Sequence, residues 1–313
     1  MPFFAVPDYQ FELFWVSNPD PASLTPTARP EDIQWKPLNR DSPVVILLHA
    51  AGSNILGWSR QISDSRLAGR FQFLLIDCPF HGFTRAEPRP THTLEDSANC
   101  VAALLDHLGI PSFILYGEHV HGVNVATWTA IKRKERLQGL LLASPGWRSE
   151  EPSLLQSFRV IEAAMSVNKY GNGDGSGTIP EEALEECLRF PVGGAPRMAE
   201  LRKEMAKHIQ QRYGTGNPDF EMRLLFAAMR DRKPIPDEQL ASLTCPILIL
   251  RGGDDHIISP EKAVEEWQAA FVNAKGGADV HVVSSAPATM SLSDGNIVSR
   301  LMGQFFSKCT GTA

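Results

Sequence analysis

The sequence predicts an α/β fold in which helices flank a mostly parallel β-sheet and a helical cap interrupts the alternation. Short apolar runs rich in Val, Ile, Leu and Phe take turns with longer segments of helical periodicity. Continuous apolar runs are typical of strands buried on both faces, and strands that alternate with helices form parallel sheets. The alternation stops between about residues 148 and 236, where helical segments follow one another without a strand.

The predicted strands begin with the alternating stretch FELFWV, which a Pro-rich connection follows. The later apolar runs are, in chain order, PVVILLHA, FQFLLIDCP, SFILYG, LQGLLLASP, CPILILRG and ADVHVVSSA. Each is bounded by Gly, Pro, Ser or a charged residue, as buried strands commonly are. The sequence therefore predicts one sheet that extends along most of the chain.

Two helices are predicted between these strands, TLEDSANCVAALLDHLG and SPEKAVEEWQAAFVNA. In the second, we expect Ser259 to cap the helix and Pro260 to take the first helical position. Four further helical stretches fill the interruption: PSLLQSFRVIEAAMSVN, PEEALEECLRF, PRMAELRKEMAKHIQQRYG and PDFEMRLLFAAMRDR. We therefore expect residues 1–147 and 237–313 to form the sheet domain and residues 148–236 to form an inserted cap.

Composition excludes several classes of function. The 313 residues are 43% apolar and carry a net charge of −6, so a large core is expected and a basic surface for nucleic acid is not. No apolar stretch approaches the roughly 20 residues of a membrane helix, and the first residues lack a basic, cleavable leader. We expect a cytoplasmic protein that acts on a small molecule; the sequence leaves the oligomeric state open.

The cysteine pattern and the glycine pattern predict no cofactor. The five cysteines lie far apart, without a CxxC pair, so neither a disulfide framework nor a zinc site is expected. The chain also lacks a glycine-rich dinucleotide fingerprint and a P-loop. We therefore expect neither a bound cofactor nor a metal.

Five motifs, in this order, resemble those of the α/β-hydrolase fold superfamily. LLHAAGSN resembles the oxyanion loop, DCPFHGFT the conserved turn after the next strand, and LYGEHVHG the nucleophile elbow. RGGDDHIISPE resembles the loop of the catalytic acid, and VVSSAPATMSLSD the loop of the catalytic histidine. The resemblance covers most of residues 43–306. It implies an α/β-hydrolase core with a lid.

The resemblance places an unusual residue at the apex of the elbow. In the G-x-S-x-G pattern, the third residue sits on a strained turn between strand and helix. Matching Gly117 to the first glycine puts His119 at the apex and His121 where a second glycine is usual. A shift of one residue would place Val120 there and would lose the glycine match. The predicted apex is therefore His119.

The remaining triad positions also depart from the family. The acid loop aligns Asp255 with the catalytic acid, whereas Ala288 stands where the catalytic histidine is expected. Acyl transfer by a serine enzyme requires a nucleophile and an imidazole base, and both are replaced. An aspartate nucleophile of the haloalkane-dehalogenase or epoxide-hydrolase kind is missing as well. The alignment therefore argues against the usual covalent hydrolysis.

A histidine in the nucleophile position is suited to transferring protons and not to forming an acyl-enzyme. We hypothesise that His119 reaches Asp255, directly or through one water, and works as a general acid or base. Glu118 and His121 flank the apex and are further catalytic candidates, although each could equally be a buried packing residue.

The resemblance also supplies candidates for holding a substrate oxyanion. It implies oxyanion donors at the backbone N–H groups of Ala51 and Val120. His49 precedes the oxyanion loop and is counted with these substrate-binding residues, although this position, like that of His81, usually orients a loop by hydrogen bonds.

Three classes of function follow from these observations. The first is a non-hydrolytic enzyme, a cyclase, isomerase or lyase, acting on a small apolar molecule such as a secondary-metabolite intermediate. The second is a ligand-binding pseudohydrolase without activity. The third is an atypical ester or lactone hydrolase in which His119 activates water. Replacement of the nucleophile by a titratable residue, with Asp255 retained, favours the first class.

A loop in the predicted cap resembles a calcium site. NGDGSGTIPEEAL, residues 172–184, follows the EF-hand ligand spacing, but Ala183 occupies the position of the bidentate glutamate. A glycine-rich hinge before a helix explains the same pattern, with Thr178 as the cap. The sequence leaves calcium binding open.

Overall fold

A nine-stranded sheet forms the centre of the protein, which is described here from a computed structural model. The described residues are 2–39, 42, 44–149, 151–152, 154–156, 158–159, 179–193, 196–214 and 219–311. The strands are β1 (Phe3–Val6), β2 (Phe11–Ser17), β3 (Val44–Leu48), β4 (Gln72–Ile76), β5 (Arg85–Ala86), β6 (Phe113–Glu118), β7 (Leu137–Ala143), β8 (Ile247–Gly252) and β9 (Ala278–Val283).

The sheet is parallel except at one edge. Its order is β1-β2-β4-β3-β6-β7-β8-β9, and β5 pairs with β2. Strand β2 is antiparallel to each of its partners, whereas β4, β3, β6, β7, β8 and β9 are mutually parallel. In a parallel sheet the carboxyl ends of all strands meet at one edge, which is where such folds bind ligands.

Helices cover both faces of this sheet. They are α1 (Ser59–Ser63), α2 (Leu94–His107), α3 (His119–Lys132), α4 (Glu181–Val192), α5 (Ala199–Tyr213), α6 (Asp219–Arg230), α7 (Asp237–Leu240), α8 (Glu261–Ala270), α9 (Met290–Ser293) and α10 (Gly295–Thr310). Residues of α2, α3, α8 and the helices between β7 and β8 pack on one face, and residues of α1 and α10 pack on the other. This double coverage explains why the parallel strands are continuous apolar runs.

Each strand predicted from the sequence is present, and the α/β fold is confirmed. Two short strands were missed. Strand β1 has four residues and extends the antiparallel edge, while β5 has only two. Strands this short lie below the length at which alternation or an apolar run gives a signal.

The described residues between β7 and β8 include helices α4, α5, α6 and the short α7, with no strand among them. These helices contact the sheet domain through specific hydrogen bonds. The Tyr213 hydroxyl donates to the Phe80 carbonyl at 2.7 Å, and the Arg212 guanidinium donates to the Thr84 carbonyl at 3.2 Å. Both acceptors lie in the turn after β4, so α5 is fastened over the carboxyl edge of the sheet.

Two helix starts differ from the predictions. Helix α8 begins at Glu261 with Pro260 as its cap, and the Ser259 hydroxyl has no hydrogen-bond partner among the described residues. Helix α4 likewise begins at Glu181 after Pro180. Thr178 and most of the calcium-like loop, residues 172–178, lie outside the described residues, as does much of the first predicted cap helix.

Among the described helices, none combines the length and the apolar character that crossing a membrane requires.

Candidate active site

The turn from β6 into α3 has the geometry of a nucleophile elbow. Strand β6 ends at Glu118, and His119 begins the helix with a φ of 64°. A non-glycine residue with positive φ is uncommon and stores strain, which native structures tend to keep at functional sites. The apex of the elbow is therefore His119.

Two glycines make this turn possible. A Cβ on Gly117 would lie 2.3 Å from the Gly122 carbonyl oxygen, and a Cβ on Gly122 would lie 2.7 Å from the carbonyl oxygens of Leu48 and His49. The backbone of α3's first turn is therefore in close contact with the backbone of β6 on one side and with the end of β3 on the other. The elbow motif has its second glycine at position 121, but here Gly122 makes the close backbone contact. Residue 121 can therefore carry a side chain.

The His119 side chain is buried without a polar partner. The residue is 6% exposed, and neither ring nitrogen has a hydrogen-bond partner among the described residues. Burial lowers the pKa of His119 to about 4, and the positive charge of Arg232 adds to this effect. The imidazole is therefore neutral at physiological pH, with one N–H donor and one lone pair available.

His119 lines a small apolar cavity of about 50 Å³. The sheet domain contributes Ala51, Gly52 and Ile258 to its wall. The other lining residues come from the segment between β7 and β8: Leu154, Phe158, Cys187, Pro191, Ile209, Met222, Leu225, Phe226 and Met229. Ligand sites for drug-sized molecules are roughly 300–1,000 Å³, so this cavity fits only a small molecule or part of a larger one.

The two proposed oxyanion donors flank the apex. Val120 is the second residue of α3, and the first four N–H groups of a helix have no partner within it. Ala51 lies in the loop after β3 and lines the cavity beside His119. The positive end of the α3 dipole also favours negative charge at this place.

Asp255 is buried near the start of the loop after β8. Its Oδ1 accepts the N–H groups of Ile258 and Ser259 at 3.0 and 3.2 Å, and Oδ2 has no hydrogen-bond partner among the described residues. Burial raises the pKa of Asp255, while the two N–H donors and the nearby Ser144 hydroxyl lower it. The carboxylate is thus fixed through one oxygen and leaves the other available.

A direct hydrogen bond between His119 and Asp255 is not formed. Both ring nitrogens of His119 and Oδ2 of Asp255 lack partners among the described residues. Of the two arrangements hypothesised, a direct hydrogen bond or a bridge through one water, the direct hydrogen bond is therefore absent, and Asp255 Oδ1 is engaged by N–H groups of its own loop. A bridge through water remains a prediction.

Position 288, where the sequence motif predicts a catalytic histidine, is used for packing. Ala288 is fully buried in the apolar core. Next to it, Thr289 donates both its N–H and its hydroxyl to the Pro191 carbonyl, at 3.0 and 2.9 Å. The loop that carries the base in serine hydrolases is here an attachment point for α4.

The other two catalytic candidates are directed away from the cavity. Glu118 is 3% exposed, and its carboxylate accepts hydrogen bonds from the N–H and the hydroxyl of Ser291. Burial raises the pKa of Glu118 to about 7. The His121 ring lies 4.5 Å from the His81 ring, centroid to centroid. Neither Glu118 nor His121 is among the described residues that line the cavity, so their contacts favour structural roles.

His49 orients two loops, and the structure does not bring it to the cavity wall. Its Nε2 accepts the Cys78 N–H at 3.1 Å, and its Nδ1 donates to the Ala50 carbonyl at 2.9 Å. Burial lowers the pKa of His49 to about 4, which keeps the ring neutral. The assignment of His49 to substrate binding is therefore replaced by a role in loop orientation.

Sequence reasoning missed two features of this region. One is Asp77, whose carboxylate oxygens accept the N–H groups of Ile55 and Phe83 at 2.8 Å each. The other is the set of apolar cap residues around the cavity. Their helical periodicity was a signal for burial, but periodicity does not tell which cavity a helix face covers.

Comparison with known proteins agrees with this architecture. Residues 43–166 match the family described as α/β hydrolase fold. A 2-hydroxy-6-oxononadienedioate/2-hydroxy-6-oxononatrienedioate hydrolase of Burkholderia vietnamiensis is 24% identical over 231 residues, which are 68% of this chain and 71% of that protein.

Solved structures resemble the chain over nearly its whole length. A thermophilic esterase from Thermogutta terrifontis has a TM-score of 0.72 and 20% identity, with 98% of each chain covered. The enol-lactonase from Burkholderia xenovorans has a TM-score of 0.70 and 16% identity, with 98% of this chain and 100% of that chain covered.

The sheet order, the elbow and these matches define one class of protein. The chain has the α/β-hydrolase fold, and its residues 43–166 match the family of that description. These relatives are named as hydrolases or an esterase, not as cyclases, isomerases or lyases.

Proposed function

We propose that the protein is an enzyme that performs proton transfer on a small apolar carbonyl compound, without a covalent acyl intermediate. In this proposal His119 is the general acid or base, and the N–H groups of Ala51 and Val120 hold the carbonyl oxygen. The reaction is an isomerisation, an elimination or a ring closure. Each of these begins with the loss of a proton from the carbon next to the carbonyl.

One observation carries this proposal: an unpartnered imidazole is held in a strained backbone conformation against an apolar cavity. His119 has a φ of 64°, and both its ring nitrogens lack partners among the described residues. Buried polar groups are normally hydrogen-bonded, and a strained residue is kept only where the surrounding fold requires it. A ligand with a polar group would satisfy the imidazole.

The geometry suits the chemistry of an enolate. The His119 lone pair accepts the proton, the electron pair of the C–H bond forms a C=C bond, and the π pair of the C=O bond moves to the carbonyl oxygen. That oxygen then carries negative charge next to the first turn of α3, where free N–H groups and the helix dipole stabilise it. Returning the proton to a different carbon completes an isomerisation, whereas expelling a group from the next carbon completes an elimination.

The apolar cavity wall supports a substrate with little polar surface. Phe158, Met222 and Phe226 contribute to it, and no charged residue is among the described lining residues. An apolar surrounding also strengthens the electrostatic interaction between the oxyanion and the N–H donors. Asp255 has a role here if its free Oδ2 orients the imidazole through a bridging water.

A second candidate is hydrolysis of an ester or lactone by water that His119 activates. The comparisons favour it, because the similar proteins include an enol-lactonase and a hydrolase of an oxo-dienedioate. The same oxyanion donors would hold the tetrahedral intermediate. The two candidates differ in the atom from which His119 removes a proton, carbon in the first and water oxygen in the second.

The test is hydrogen exchange in heavy water. Small cyclic and open-chain ketones and enol lactones are incubated with the protein in D₂O, and deuterium at carbon is followed by NMR and mass spectrometry. We expect exchange with the wild type and a loss of about 10²- to 10⁴-fold in His119→Ala, the usual contribution of a general acid or base. His281→Ala is the matched control, because His281 is exposed on β9.

The outcomes separate the candidates. Hydrolysis of p-nitrophenyl esters or enol lactones that depends on His119, without carbon exchange, would replace the first candidate by the second. Binding of these compounds with no turnover, unchanged in His119→Ala, would indicate a ligand-binding protein. Labelling by a fluorophosphonate would reveal a nucleophilic serine and contradict both proton-transfer proposals.

A further inference from the structure

Three buried histidines form a cluster behind the elbow. His49 follows β3, His81 lies in the turn after β4, and His121 lies in the first turn of α3. The residues are at most 1% exposed, and one potential metal-binding nitrogen of each ring lies within 4.8 Å of those of the other two. Three segments that are distant in sequence therefore bring their imidazoles to one place.

Two of these rings have nitrogens that the protein leaves unsatisfied. His81 Nδ1 donates to the Pro79 carbonyl at 2.9 Å, so its Nε2 carries the lone pair, and that nitrogen has no partner among the described residues. His121 Nδ1 is likewise buried without a partner in the described part of the chain. Two unpartnered buried acceptors on neighbouring rings are unfavourable unless something binds them.

Asp77 is an acidic group next to the cluster; burial raises the pKa of its carboxyl to about 7, and the positive charge of Arg212 acts on both Asp77 and His81. The carboxylate of Asp77 is fully buried, and its Oδ1 lies 3.9 Å from His49 Nε2. Each Asp77 oxygen accepts one N–H, which leaves further acceptor capacity on both. When deprotonated, Asp77 balances part of the charge of a bound ion, whereas His49 is oriented by the hydrogen bond from its Nδ1 to the Ala50 carbonyl.

We propose that His49, His81 and His121 bind one divalent transition metal ion of the Zn²⁺ type. Neutral imidazoles are the ligands that Zn²⁺, Cu²⁺, Ni²⁺ and Fe²⁺ share, while Mg²⁺ and Ca²⁺ prefer oxygen. The ion fastens the first turn of α3 to the loops after β3 and β4, and so supports the strained turn at His119. This site does not depend on the reaction proposed above.

Binding requires a small contraction of the cluster. Zn–N bonds of about 2.0–2.1 Å in a tetrahedral site place the nitrogens about 3.3 Å apart, whereas the present spacing extends to 4.8 Å. The rings must therefore move together by roughly 1 Å. His49 must also exchange its hydrogen bond from the Cys78 N–H for the metal, because both of its nitrogens are engaged here.

His121 is the member of the cluster that departs from the elbow motif. A glycine is usual at its position in the elbow motif, and without the His121 ring only two imidazoles remain. His121→Gly therefore removes one ligand while restoring the residue that the motif carries. The close backbone approach is made by Gly122, so the substitution leaves that contact intact.

The experiment measures metal content and coordination in the full chain, purified without a chelator and after removal of any affinity tag. Cells are grown with added Zn²⁺ or Co²⁺, since a fully buried ion enters most readily during folding. We expect about one ion per chain, a higher melting temperature for the loaded protein than for the chelator-treated protein, and the strong visible bands of tetrahedral Co²⁺.

Two variants and one control decide the assignment. His121→Gly and His81→Gln should each weaken binding more than the roughly 10- to 100-fold that loss of an outer-shell partner causes, and should abolish the Co²⁺ bands. His281→Ala should bind like the wild type. Wild-type protein without stoichiometric metal and without Co²⁺ bands would overturn the proposal, and so would equal binding by His121→Gly. The wild-type spectrum decides the question even if a variant fails to fold.

Discussion

Thr289 and Pro191 connect the loop after β9 to helix α4. The Thr289 N–H and hydroxyl both donate to the Pro191 carbonyl oxygen, at 3.0 and 2.9 Å. Because Pro191 lines the cavity that contains His119, this contact holds part of the cavity wall in place. The loop in which the sequence motif predicts a catalytic histidine, at position 288, is thus directly attached to α4.

Thr289→Val should loosen this attachment. The substitution keeps the shape of the side chain but removes the hydroxyl, so the unfolding free energy should fall by about 1 kcal/mol, the net value of one hydrogen bond. Chemical denaturation measures the change, and limited proteolysis reports whether α4 becomes more accessible. Thr289→Ser is the control and should stay close to the wild type; an equal loss in both variants would show that the methyl group matters instead.

Gly117→Ala should destabilise the elbow severely. A Cβ at this position would lie 2.3 Å from the Gly122 carbonyl oxygen and 2.7 Å from the Ala126 side chain, and both belong to a packed helix. Crowding between side chains typically costs about 1–3 kcal/mol, and crowding against backbone costs more because the backbone cannot change rotamer. We therefore expect the free energy of unfolding to fall by more than about 3 kcal/mol. Denaturant unfolding and circular dichroism measure it.

The matched control for this prediction is Gly303→Ala. Gly303 lies inside α10, and a Cβ added there would have its nearest contact at an ordinary 3.5 Å, with the Arg66 carbonyl oxygen. Alanine favours helix over glycine by about 1 kcal/mol, so this variant should be neutral or more stable. If Gly117→Ala were as stable as Gly303→Ala, the close approach at the elbow would be absent in solution.

The sequence predicted those parts of the fold that depend on local pattern. Buried parallel strands such as β3 and β8 are continuous apolar runs, and a glycine before the apex indicated the turn at His119. The apex could therefore be located from the sequence alone. Strands β1 and β5 were missed because two to four residues give no periodic signal.

The parts of the site that depend on tertiary packing could not be predicted. Glu118 precedes the apex, yet its partner Ser291 is 173 positions away in sequence. The three-histidine cluster joins segments whose proximity no spacing rule reveals. The sequence placed His121 next to the elbow correctly but gave no reason to direct its ring toward His49 and His81 instead of the cavity.

Glu118 should make stability depend on pH in an unusual direction. Burial raises its pKa from 4.5 to about 7, so the folded state binds this proton more tightly than the unfolded state does. The stabilisation of the folded state that comes from protonated Glu118 is fully present below about pH 4.5 and is lost as pH rises through about 7. A tenfold difference in proton affinity corresponds to about 1.4 kcal/mol. The raised pKa therefore lowers the free energy of unfolding by on the order of 3 kcal/mol between low and high pH.

Glu118→Gln removes this dependence and can keep both contacts with Ser291. Its carbonyl oxygen accepts the Ser291 N–H, and its amide donates to the Ser291 hydroxyl. The stability difference between variant and wild type, measured by urea unfolding across this pH range, should therefore shift in favour of the variant as pH rises. The buried histidines titrate in both proteins and cancel in the difference. Glu266→Gln, an exposed control on α8, should show no such trend; a flat difference for Glu118→Gln as well would mean that Glu118 is ionised at low cost.

Replacing two residues should restore a hydrolase triad. His119→Ser supplies a nucleophile on the strained turn, Ala288→His supplies a base, and Asp255 keeps Oδ2 available to orient it. Triad residues act together, so the double variant should hydrolyse short p-nitrophenyl esters at least about 100-fold faster than His119→Ser alone. It should also react with a fluorophosphonate, whereas the wild type should not.

The control for this prediction adds Asp255→Asn to the double variant. An amide does not stabilise the imidazolium that forms during acyl transfer, so most of the gained activity should disappear. The main risk is steric, because Ala288 is fully buried and the new ring must fit between the loop and α4. A melting temperature close to that of the wild type establishes that the ring is accommodated. A stable double variant without esterase activity would then show that Asp255 and position 288 do not have the spatial relationship on which the triad alignment rests.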